Sequence, residues 1–121
     1  MKQKRITIAY KALLRLYKTE GIPFPVSCRL FMLKKQLQPF YDLEAEKEDA
    51  ILERENAIDD AGRINMTNAI RDEIAKILDS EVDYDGDAVD VNVNDDIVVK
   101  LGITGELIDQ LDGFVNFIYE G

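Results

Sequence analysis

The 121-residue chain contains no histidine. That excludes Ser-His and Cys-His nucleophile pairs and the common His-based zinc sites. Cys28, the single cysteine, has no partner for an internal disulfide, which agrees with a reducing compartment. As a small hydrophobe near a helix start it is expected to be buried and inert. No apolar run approaches the roughly 18 residues of a spanning helix, and the Lys-rich start leads into an amphipathic stretch without a signal-peptide core. The chain is therefore expected to be soluble and unexported, with no membrane partner. Gly102, Gly105 and Gly113 are too scattered for a dinucleotide fingerprint, and no phosphate loop is present. Carboxylate pairs are the acid-base chemistry that remains, but 24 acids produce many such pairs by accident. The expectation is a protein that is not an enzyme and carries no cofactor.

What the chain does have is a steep division of charge. Residues 1–40 hold nine Lys and Arg against one acid, Glu20, whereas residues 41–121 hold six bases against 23 acids; +8 followed by −17 makes the net −9. Charge asymmetry of this kind governs association more than fold. With 121 residues and 46% hydrophobic content, the chain is long enough for one compact domain, 1–121, and too short for two ordinary ones.

The spacing of Ile6, Ala9, Tyr10, Leu13, Leu16 and Tyr17 predicts a helix over about 7–20, with Lys4, Lys11, Arg15 and Lys18 along its opposite side. Gly21-Ile22-Pro23-Phe24-Pro25 stops it, and Ser27 can cap the next. A second helix runs from Leu30 to Ile58 across Pro39, either as one bent helix of about 30 residues or as two abutting ones. Asp59-Asp60-Ala61-Gly62-Arg63 reads as a connection. A third helix, capped by Asn65 or Thr67, presents Ile70, Ile74, Ile77 and Leu78. The period then changes to two around Asp85-Gly86, with Val82 and Tyr84 before and Val89, Val91 and Val93 after, the pattern of an antiparallel hairpin that pairs Val82 with Val89. Ile97-Val98-Val99 extends the sheet or leads onward, and Leu107 to Ile118 has helical spacing broken at Gly113. The expected fold is α+β: three to four helices, the second long or Pro-kinked, and a small antiparallel β-hairpin.

In that register Glu81 sits opposite Asp90, and like charges so placed need an offsetting partner. The segment 79–96 holds eight acids and no base. Glu81, Asp83, Asp85 and Gly86 imitate the start of an EF-hand loop, but position twelve is Asn92, which cannot supply the bidentate carboxylate, so a solvated acidic hairpin is the better reading. On the basic side, Lys4, Lys11, Arg15 and Lys18, extended by Arg29, Lys34 and Lys35, could track phosphates. The net charge opposes nucleic acid, and the stripe reads instead as a solvated face or a surface for acidic partners, including a second copy.

The order of signals also carries a resemblance. Ala12-Leu13-Leu14-Arg15-Leu16, the loop Gly21-Ile22-Pro23-Phe24-Pro25-Val26-Ser27, a Leu-Lys-Lys-rich second helix and Glu73-Ile74-Ala75-Lys76-Ile77-Leu78-Asp79-Ser80-Glu81-Val82 lead into a β segment and a short closing helix. This resembles a family of small tailed-bacteriophage proteins catalogued as a domain of unknown function; Pro39 and the acidic Asp83–Asp87 turn depart from its pattern. The resemblance implies a phage or prophage origin, residence in the bacterial host cytoplasm or the virion, no cofactor, and a structural or assembly role. Two functions from different classes follow. One is assembly through a protein partner or self-association, with contacts at Lys11, Arg15 and Lys18 on the basic side and Glu81, Asp83, Asp87 and Asp90 on the acidic side. The other is an acidic inhibitor of a host protein, its carboxylates imitating nucleic-acid phosphates.

Overall fold

The helical spacing of the first segment winds it into α1 (Gln3–Leu16), which buries Ile6, Ala9, Tyr10, Leu13 and Leu16 along one side. In the computed structural model, which describes residues 1–121, this stripe lies against the first half of α2 (Phe24–Arg54), whose Val26, Leu30, Leu33 and Leu37 face it. Between them Gly21, at φ +79°, takes the left-handed conformation that lets the chain reverse. Ser27 is not the cap expected of it. Pro23 occupies that position, and Ser27 lies within the first turn, its N–H bonded to the Pro23 carbonyl at 3.2 Å. Pro25, near the helix start, has no N–H that would need a cap. Cys28 is half-buried rather than buried.

Helix α2 is continuous for 31 residues, about 46 Å at 1.5 Å per residue. Pro39 deprives the Lys35 carbonyl of its donor four residues on, but both residues are exposed, so water can replace the lost bond and the helix continues. Its far end carries a second, small core of Leu52, Ala57 and Ile70 with Ile51, Met66 and Ile74. The connection behaves as its sequence suggests: Asn56 ends the helix at φ +50°, and the Asp59 carboxylate accepts from the N–H groups of Ala61 and Arg63. Thr67 then caps α3 (Asn68–Leu78), its hydroxyl accepting from the Ile70 N–H at 3.2 Å.

The antiparallel hairpin does not form. After α3 the chain continues through β1 (Val89–Val93), α4 (Asp95–Leu101), α5 (Gly105–Gln110) and β2 (Val115–Tyr119), and the two strands pair parallel, Val89 with Val115 through Val93 with Tyr119. The helices number five, not three to four, although the α+β character holds. Three physical causes account for the difference. The N–H of Val82 already bonds the Met1 carbonyl at 2.8 Å, and Lys2 and Glu81 form a short antiparallel bridge, so that edge is occupied by the start of the chain. Tyr84 is held by Phe40, edge-on at 5.6 Å, and by Phe114 at 5.8 Å. Gly86 makes room for that ring instead of a turn, since a Cβ there would stand 2.3 Å from the Tyr84 hydroxyl.

A parallel pair needs a long crossover, and residues 94–114 supply it with two short helices. Ile97-Val98-Val99 is therefore helical: Asn94 accepts from the Ile97 N–H at 2.9 Å, Asp95 and Asp96 sit in the first turn, and Gly102 closes the helix at φ +66°. Thr104 caps α5 in the same way. Gly113, at φ +82°, marks the break expected there, but the residues beyond it form β2 rather than more helix.

Leu33 is fully buried in the α1–α2 seam. Leu33→Ala is expected to cost about 2–5 kcal/mol by denaturant unfolding; a loss well under 1 kcal/mol would show that the seam does not hold the fold.

Candidate interaction surfaces

Helix α1 projects its charged residues away from the seam that buries its leucines, so Lys11 and Arg15 are exposed, as is Lys18 just beyond its end. None of the three forms an ion pair. The Arg15 guanidinium donates to the Leu101 carbonyl at 3.1 Å and so holds the end of α4. Lys18 reaches over the Tyr17 ring, its Nζ 5.6 Å from the centroid, and Lys34 lies 5.8 Å from the same ring and 5.7 Å from that of Phe31. These residues make a basic face lined with aromatic rings and facing solvent.

The acidic residues divide into three places. Glu81 is taken up within the chain, its carboxylate 2.9 Å from the Met1 ammonium, and Asp79 binds Lys2 at 2.7 Å with Lys4 at 3.9 Å. The hydrogen bond and then the charge of each partner lower the pKa values of Asp79 and Glu81 and raise that of Lys2. Asp83, Asp85 and Asp87 are exposed, alternate along a segment without a turn, and pair with no base. Burial, followed by the carboxylates of Asp85 and Asp87, pushes the Tyr84 phenol up. Asp90, on β1, offers its backbone carbonyl to Arg29 at 2.7 Å and its carboxylate to Asn116 at 3.1 Å. The expected opposition of Glu81 and Asp90 does not arise, because the hairpin that would create it is absent. Nor do three Asp, Glu or Cys side chains converge where a metal ion would sit.

One polar site escaped the sequence. Leu30, Leu33, Leu37 and Tyr41 follow a helical stripe along α2, and its next members are Glu44 and Glu48. Glu44 is only 5% exposed. The Thr7 hydroxyl donates to it at 2.7 Å, while Gln3 Nε2 donates at 3.2 Å both to that hydroxyl and to the Phe40 carbonyl. The buried carboxylate is thus hydrogen-bonded, as burial requires. Glu48, one turn on, lies with Glu44 in a cleft of about 230 Å³ also lined by Lys4, Lys11 and Tyr41. Burial raises the Glu48 pKa, and the neighbouring Glu44 adds its charge and a hydrogen bond that favours the protonated form; Lys11 opposes these effects. Acids continuing an apolar stripe were the available signal, obscured by the abundance of carboxylates.

No family model matches the chain, and comparison with curated proteins and with solved structures likewise returned no match. No helix is long and apolar enough to cross a membrane.

The raised pKa of Glu48 has a consequence for stability. The folded state binds the proton more tightly than the unfolded chain, so this contribution is fully present below about pH 4.5 and is lost as pH rises through the folded value. Glu48→Gln keeps the uncharged form at every pH. Its melting temperature should exceed that of the wild type at pH 7 and converge with it near pH 4; a variant less stable than wild type at pH 7 would contradict this account.

Proposed function

We propose that the protein is a non-enzymatic interaction module of phage or prophage origin, with a structural or assembly role in which its charged faces engage another protein. One observation carries this reading: Lys11, Arg15 and Lys18 on one side and Asp83, Asp85 and Asp87 on the other are exposed without ion-pair partners in the chain. Surface charges of one sign left unpaired are well suited to steer association with a complementary surface and to set its register. The bacteriophage origin is supported by the resemblance of the short runs on α1, α2 and α3 and in the loop between α1 and α2, whereas the closing helix of that pattern is replaced by β2. An environment in the host cytoplasm or the virion belongs to the same proposal.

A second reading is favoured by the row Asp83, Asp85, Asp87. Three exposed carboxylates within five residues, with no base among them, give a density of negative charge suited to imitating a nucleic-acid strand. An inhibitor built this way would occupy the basic cleft of a host protein. The two readings differ in which face is essential, since the inhibitor uses the acidic row alone.

Arg15 also supports α4, so the clean test changes Lys11 and Lys18 to Glu. For an assembly role, light scattering should find association that weakens from low to high salt in the wild type, and that salt-dependent part should be lost in the double variant while circular dichroism shows it still folded. Because Lys11 lies beside Glu48, the variant's melting temperature should fall somewhat. A salt-dependent association undiminished by the charge reversal would refute the charge-driven reading. Asp83, Asp85 and Asp87 changed together to Asn, with Lys11 and Lys18 intact, should abolish retention of a basic partner if the inhibitor reading holds.

A further inference from the structure

We infer that the outer edge of β2 is a self-pairing surface: two copies of the chain join β2 to β2 in antiparallel fashion, making a four-stranded sheet across a two-fold axis. This contact goes beyond the charge-driven reading and does not rest on it. The direction of the backbone follows from two bonds, Val89 N–H to the Phe114 carbonyl at 2.9 Å and Glu120 N–H to the Val93 carbonyl at 2.8 Å. In the parallel register these place the even-numbered residues of β2 toward β1. Phe117 and Tyr119 therefore direct both N–H and C=O outward, and Val115 its C=O. No group of the chain meets them, and β2 is an edge strand of a two-stranded sheet.

Exposed edges normally carry a charge, a proline or a bulge that discourages pairing. Val115-Asn116-Phe117-Ile118-Tyr119 has none of these, and Ile118 and Tyr119 are 42% and 61% exposed. The opposite edge, on β1, differs: it carries Asp90, and Arg29 already covers the Asp90 carbonyl.

The occupant is a second copy because the strand carries no charge that would meet its like on self-pairing, while its flanks carry opposite charges, Glu120 after it and Arg5 beside Gly113 before it. Centred on Phe117, antiparallel pairing sets Phe117 against its own copy, Val115 against Tyr119 and Asn116 against Ile118. No like charges meet. Phe117 exchanges reciprocal bonds with its counterpart, and each Tyr119 N–H reaches a Val115 carbonyl. The same register brings Glu120 of one copy beside Phe114 of the other. The Arg5 guanidinium waits there, bonded to the Asp112 carbonyl at 2.6 Å and lying against Gly113. A two-fold axis repeats that Glu120–Arg5 approach at both ends.

The test is sedimentation equilibrium of the full chain at high salt, where contacts between the exposed charged faces are screened. The wild type should form a dimer. Tyr119→Pro removes an outward N–H while leaving the β1 ladder intact, and should raise the dimer dissociation constant about tenfold or more. In case proline disturbs folding, Arg5→Glu and Glu120→Arg, measured at low salt in the Lys11→Glu/Lys18→Glu background, should each weaken the dimer, and their combination should restore it. A wild type that stays monomeric at high salt, or a folded Tyr119→Pro dimer of undiminished affinity together with independent effects of the charge exchange, would overturn the proposal. Loss of the low-salt association in the Lys11 and Lys18 variant with this dimer preserved would separate the two contacts.

Discussion

The leucine seam between α1 and the first half of α2 is the constraint on which the other elements depend. Leu13 and Leu16 from one helix and Leu30, Leu33 and Leu37 from the other are entirely removed from water. Burial on that scale, at roughly 1.5–3 kcal/mol for each large side chain, is the dominant favourable term available to a chain of this size. The remaining elements attach to the seam. Val91 and Val93 of β1, Leu101 of α4, Leu107 and Leu111 around α5, and Phe114 and Val115 at the start of β2 belong to the same cluster. The two-stranded sheet would be marginal by itself and is viable because one face covers this core.

Helix α3 is attached differently. Ile70 is its one fully buried residue, and it leans on the distal half of α2 through a small satellite core. Its other fastenings are polar: Arg54 pairs with Glu73, and the bridge between Lys2 and Glu81 ties the segment after α3 to the start of the chain. Exposed ion pairs contribute little individually, so this part of the molecule should open before the seam does. The charge polarity of the sequence is consequently used in two ways. A minority of the charges close the fold at Met1, Lys2, Asp79 and Glu81, and the rest remain on the surface.

Where sequence reading succeeded, the signal was local. α1, helix on both sides of Pro39, the Thr67 cap and the Asp59 turn follow from side-chain spacing and capping chemistry within a few residues. The hairpin failed because Asp85-Gly86 satisfies a local turn rule while the competing interactions are distant: Met1 for Val82, Phe40 and Phe114 for Tyr84, and Val115 for Val89. The same distance explains Ile97-Val98-Val99, whose β-branched residues suggest a strand until Asn94 caps them into a helix. Of the residues singled out for contact, Lys11, Lys18, Asp83 and Asp87 lie exposed and unpaired, whereas Glu81, Arg15 and Asp90 each have a partner within the chain.

The sequence by itself determined the helical amphipathicity of the first half, the Thr67 cap, the Asp59 turn and the partition of charge, because each depends on residue type and short-range spacing. Only the tertiary structure decided that the valine-rich segment pairs parallel with the closing strand, that Glu44 is buried under Thr7, and that Glu81 is used within the chain. Those outcomes depend on which of several compatible partners lies nearby once α1 and α2 have packed. Hydrogen bonds and ion pairs are short-ranged, so pairing between segments far apart in the chain is settled by packing rather than by local pattern.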